Sequence, residues 1–189
     1  MMRFNVCFLI IGLLCSGLVF AHGAHVHSSS NATLAIDQNQ IEFTMQSPGS
    51  NLVGFEHPPR NEDQQSTFEQ AVAALESADW VTFEPAAGCD VVAVEVNTPG
   101  FRDEQHDHDH VDQEHEHGDH NHDHDHGSKH AEFHLTLRAV CADAANLDWI
   151  SFALFEGWPD NQEIQLDVLT DRIQQRFVLT ADNNRLELN

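Results

Sequence analysis

Eleven histidines fall between His106 and His134, interleaved with aspartate and glutamate. Neutral imidazole is a good ligand for zinc, copper and nickel. Nine of them, His106, His108, His110, His115, His117, His120, His122, His124 and His126, lie in one tract, many as His-x-His pairs. Such pairs can wrap a Zn2+ ion in many ways. Little geometry is imposed, so selectivity is modest and Cu2+ and Ni2+ are expected competitors. The interleaved acids concentrate cations and favour the protonated imidazoles. Metal and protons therefore compete, and loading should weaken below about pH 6. Acids alone would serve a merely solubilising loop, so the histidines point to metal binding.

Two further groups could build a site of fixed geometry. His22, His25 and His27 lie in "HGAHVH", and His25 and His27, two apart, face one side of an extended chain. A free amine on His22 would also chelate copper, and the alternative for this end is a frayed terminus. His57 ends "NLVGFEH", and His130, Glu132 and His134 stand in "KHAEFH". A lone histidine such as His57 can equally cap or pack. The pool for a structured metal site is therefore His25, His27, His57, His130, Glu132 and His134.

The elements that must position these residues are strand-rich. "ATLAID" (32–37) and "IEFTMQ" (41–46) alternate apolar and polar about a short "QNQ" connection, which predicts a hairpin ended by Ser47-Pro48-Gly49-Ser50. Asn61, with Gln64 three residues on, predicts the cap of an amphipathic helix over 62–78. "CDVVAVEV" (89–96) reads as a strand. In "AEFHLTLRAVC" (131–141), Phe133, Leu135, Leu137, Ala139 and Cys141 share one face, and Glu132, His134, Thr136 and Arg138 the other. Three more strand candidates lie in "LDWISFALF", "EIQLDVLT" and "QQRFVLT". The expected class is α+β: one domain of about seven strands and one clear helix. Residues 102–129 carry almost no apolar content and are expected to form a disordered loop inserted between two strands.

The chain opens "MMRF", and residues 6–21 are apolar up to Val19-Phe20-Ala21. That pattern predicts a secretory signal peptide cleaved after Ala21, with the metal-binding domain over 22–189. An anchoring helix is the alternative, for which the run is short. No membrane insertion is expected after cleavage. The formal net charge is −23, which repels nucleic acid and anionic lipid and attracts cations. Cys7 and Cys15 lie in the leader. In an exported protein the remaining Cys89 and Cys141 are expected to pair, with zinc ligation as the alternative.

The order "HGAHVH", "ATLAIDQNQIEFTMQSPGSNLVGFEH", a helix, "AAGC", the His/Asp-rich tract, "HAEFH" and a second cysteine resembles the ZrgA family of periplasmic zinc-uptake proteins. The resemblance implies a periplasmic component that hands zinc to an inner-membrane transporter of the ABC type. It also implies that His25, His27, His57, and His130 with Glu132, match the family's motifs. Where a glycine-containing turn into the first strand is expected, this chain has Ser28-Ser29-Ser30.

The leading reading is zinc capture and delivery by a monomer that is not an enzyme. A metal buffer for excess zinc, copper or nickel is the alternative; induction by starvation or by metal excess separates the two. A copper redox enzyme with a histidine brace at His22 is disfavoured because the chain has no tyrosine and no methionine near the histidines. A zinc hydrolase with Glu56 as base is disfavoured because no HExxH occurs.

Overall fold

A computed structural model describes residues 28–101 and 130–188. The leader, His22, His25 and His27, and the inserted segment 102–129 with its nine histidines lie outside the described residues.

The first hairpin forms as its alternation predicts. Strands β1 (Ser29–Asp37) and β2 (Gln40–Pro48) pair antiparallel through Gln38 and Asn39. The strand runs on through Ser47 and Pro48, and Gly49 starts a short helix, α1 (Gly49–Val53). Helix α2 (Glu62–Glu76) begins where expected, with the Asn61 side chain accepting from the Gln64 N–H. The reciprocal bond differs: Gln64 Oε1 accepts from the N–H of Arg60 at 2.9 Å. Trp80 Nε1 donates to Leu75 O at 2.8 Å, which ties the end of α2 to the core.

The remaining elements are β3 (Val81–Phe83), β4 (Cys89–Asn97), β5 (Glu132–Cys141), β6 (Trp149–Phe152), α3 (Leu154–Gly157), β7 (Glu163–Leu169), β8 (Gln174–Leu179) and β9 (Arg185–Glu187). Six strands form one sheet in the order β4-β5-β2-β1-β7-β8, with β1 and β7 parallel and all other neighbours antiparallel. A second sheet, β3-β6-β9, uses two three-residue strands that were not expected; each is held by pairing with β6. "LDWISFALF" divides into β6 and α3.

The core lies on one face of the large sheet. Leu34, Phe43, Met45, Phe133, Leu135, Leu137, Ile164 and Leu166 are almost fully buried. Phe43 packs on Trp80 and Phe152, and Phe133 on Phe68 of α2 and on Phe101. The opposite face is polar, as the alternation in β5 requires. His134 stands level with Gln46, Asn31 and Gln165 on one side and Asn97 on the other. Arg138 bridges Glu42 and Glu95 across this face, and Arg176 grips Asp167 through two 2.7 Å bonds that hold its carboxyl below the ordinary range.

The register sorts the connections between two ends. At one end lie the disulfide Cys89–Cys141 and the β1–β2 turn. At the other lie the start of β1, the β2–α1 junction, the end of β4 and the start of β5. Cys141 lies nine residue steps along β5 from Glu132, a span of about 30 Å.

Candidate metal centre

The second end of the sheet holds every described residue of the predicted pool. It carries two imidazole–carboxylate pairs. His130 Nδ1 lies 2.7 Å from Glu56 Oε2, and His134 Nε2 lies 2.8 Å from Glu132 Oε2. A carboxylate only accepts, so the ring nitrogen donates in each pair. That fixes the tautomers. In the neutral ring the lone pair is then on Nε2 of His130 and on Nδ1 of His134, the nitrogens through which each would ligate a cation. Strand alternation places Glu132 and His134 on one face, as the sequence requires.

Glu56 was not in the sequence-derived ligand pool, and it is the best-supported member of the group. Its Oε1 accepts from Ser50 Oγ at 2.6 Å while Oε2 holds His130. Its carbonyl accepts from the N–H of Ala131 at 3.3 Å. The acid beside His57 was the one sequence signal. Its partner lies far along the chain, and only the fold joins them. Ser50, Glu56 and His130 thus form a chain in which each side chain fixes the next, the arrangement by which outer carboxylates orient metal-binding histidines.

His57 has a different environment. Its ring stacks on Phe55 at 5.3 Å, and its Nδ1 donates to Pro58 O at 2.8 Å. The packing is what a lone histidine needs, and the bond leaves the lone pair on Nε2. Among the described residues, no group of three or more His, Cys, Asp or Glu side chains is placed to hold a metal ion. The two cysteines are joined in the disulfide, as expected, so neither is a ligand.

Replacing Glu56 tests the orienting role. Glu56→Ala should weaken zinc binding by about 10- to 100-fold, the usual cost of losing an orienting carboxylate. Glu56→Gln should lose less, because an accepting oxygen remains for His130. Equal affinities in all three proteins, measured by zinc titration, would remove Glu56 from the centre.

A strand-rich domain presenting two imidazole–carboxylate pairs at one sheet end, in a chain of fifteen histidines, defines a candidate metal-binding protein. The model of the ZrgA family of zinc uptake proteins matches residues 24–188, and the chain belongs to that family. No curated protein matches it. No helix among the described residues is long and apolar enough to cross a membrane.

Proposed function

We propose that this chain is exported to the periplasm with residues 1–21 removed, captures Zn2+ there, and delivers it to an inner-membrane importer of the ABC type. Capture and release are its whole activity, with no catalysis. The observation that carries this reading is the gathering of Glu56, His57, His130, Glu132 and His134 at the sheet end where the described chain begins at Ser28. The family ties the chain to zinc uptake.

In this reading the histidine tract and the structured centre divide the work. The tract offers many interchangeable imidazoles, and it is joined to the domain at Phe101 and His130. The N–H of Glu132 donates to Pro99 O at 3.0 Å, so the two points of attachment sit side by side. Ions held by the tract are thereby kept at high effective concentration near His130. The centre supplies fixed geometry, and His25 and His27 complete it. Imidazole ligands also allow release, since protonation competes with the metal.

Deleting Gln105–Ser128 and titrating zinc by calorimetry at neutral pH tests this division. A high-affinity event should survive the deletion. Disappearance of every event would make the tract the site and reject the structured centre. Single alanine replacements at His25, His27 and His57 in the shortened chain should then weaken the surviving event; three unchanged affinities would dismiss them as ligands.

A further inference from the structure

Ala131 stands between His130 and Glu132, is fully buried, and is approached closely by two glycines. Gly49 meets its carbonyl, donating an N–H to Ala131 O at 2.8 Å. Gly100 meets its Cα: a Cβ on Gly100 would lie 2.9 Å from Ala131 Cα and 3.3 Å from Ala131 N and Cβ. The neighbouring N–H groups are bonded as well. That of Ala131 donates to Glu56 O at 3.3 Å, and that of Glu132 to Pro99 O at 3.0 Å.

Gly100 belongs to a tight turn over Thr98–Phe101. Proline stands second, glycine with φ 80° stands third, and the Phe101 N–H donates to Thr98 O at 3.3 Å, which is the type II pattern. Glycine enters that conformation without steric cost. Here it also lets one backbone lie directly against another. The turn ends in Phe101, which is 2 % exposed. Its ring packs on Phe133 at 4.9 Å and meets Phe55 edge-on at 5.9 Å, and Phe55 stacks on His57. One four-residue turn therefore touches the backbone between the two imidazole–carboxylate pairs and backs the ring that seats His57.

We infer that Gly100 is a positioning residue for the zinc centre: its missing side chain seats the Thr98–Phe101 turn on Ala131 and so fixes where His130 and Glu132 stand. This rests on the reading of the two imidazole–carboxylate pairs as parts of that centre. A side chain at position 100 would have to move the turn or move Ala131. Phe101, buried among rings, resists the first movement, so part of the displacement falls on Ala131. Ala131 carries His130 with it, and the 2.7 Å contact between His130 Nδ1 and Glu56 Oε2 opens.

The test compares Gly100→Ala with Gly88→Ala in the full mature chain. Gly88 is also left-handed, φ 58°, but it precedes Cys89 at the opposite end of the sheet, where a Cβ would meet only the Ala142 methyl, at 3.3 Å. Both variants force alanine into left-handed backbone, so both should unfold at a lower temperature than the parent. Two readouts separate them: the first equivalent of zinc, titrated against a competing chelator, and the nitrogen-15 imidazole spectrum in chelator, which shows which ring nitrogen of His130 carries the proton. Gly100→Ala should weaken the zinc event about tenfold, within the range found for residues that orient ligands. It should also mix the His130 tautomers, which Glu56 holds to Nδ1–H in the parent. Gly88→Ala should leave the tautomer unchanged and the affinity within about twofold, as expected of a distant site. An unchanged His130 tautomer in Gly100→Ala overturns the inference while the reading of the centre stands. So does an equal loss of affinity in both variants, which would make the effect one of stability. A displaced tautomer with parent affinity removes the His130–Glu56 pair from the centre, and the reading falls together with the inference. If Gly100→Ala does not fold in chelator, Phe101→Leu, which keeps an apolar side chain but loosens the turn, takes its place in both measurements; parent values in both would overturn the inference.

Discussion

Gly49→Ala is expected to lower the stability of the domain by about 3 kcal/mol, the upper part of the range for overpacking a closed site. A Cβ on Gly49 would sit 2.6 Å from the Phe101 ring, 2.6 Å from Phe55 O and 2.9 Å from Ala131 O. Two of these are backbone oxygens, which cannot swing aside as a flexible side chain can. One of them accepts the Gly49 N–H. Relief therefore means moving α1 away from Ala131, which breaks that bond and separates Ser50 and Glu56 from His130. Thermal unfolding in chelator should fall by roughly 10 °C for a domain of this size. The first zinc event should weaken as well, because the Glu56–His130 pair opens. A variant with unchanged unfolding temperature and affinity would show that α1 is free to shift, and that its contacts do not frame the centre.

Removal of the disulfide should cost about as much stability but spare the centre. Cys89 and Cys141 are separated by 52 positions and stand directly opposite in the β4–β5 register. Closing a loop of that length is worth about 4 kcal/mol on the chain-entropy account. The staple matters here because, among the described residues, β4 is an edge strand bonded only to β5, and it carries a bulge between Val91 and Ala93. The connection from β4 to β5 includes the polar tract, which offers too little apolar surface to repay its own closure. Cys89→Ser with Cys141→Ser, or reduction, should lower the unfolding temperature by roughly 10 °C or more. Zinc affinity, measured well below that temperature, should stay within about threefold, since β5 places the bridge about 30 Å from Glu132. Loss of affinity in a variant still shown to be folded would couple the two ends of the sheet and contradict this separation.

Much of the frame was legible because its signals are local. Alternation in "EFHLTLRAVC" assigned each side chain of β5 to a face, and burial follows that assignment throughout the strand. Asn61 announced α2, because a cap and its helix are neighbours in sequence. The expectation of export and the two remaining cysteines sufficed to expect their pairing. The strands β3 and β9 were not legible. Three residues carry no periodicity, and each is a strand only because β6 lies beside it.

The histidines, the acids and their order along the chain are properties of the sequence, and with them came the expectation of metal binding and of the family. Which acid meets which histidine was decided by the tertiary structure. Read linearly, His130, Glu132 and His134 form one alternating motif on one strand. In the fold they divide: His130 turns to Glu56, and Glu132 keeps His134. The physical reason is that a hydrogen bond between side chains requires proximity in space. Proximity between Glu56 and His130 is created by the pairing of β2 with β5 and by the close approach of Gly49 to Ala131. No spacing rule within either segment encodes that meeting.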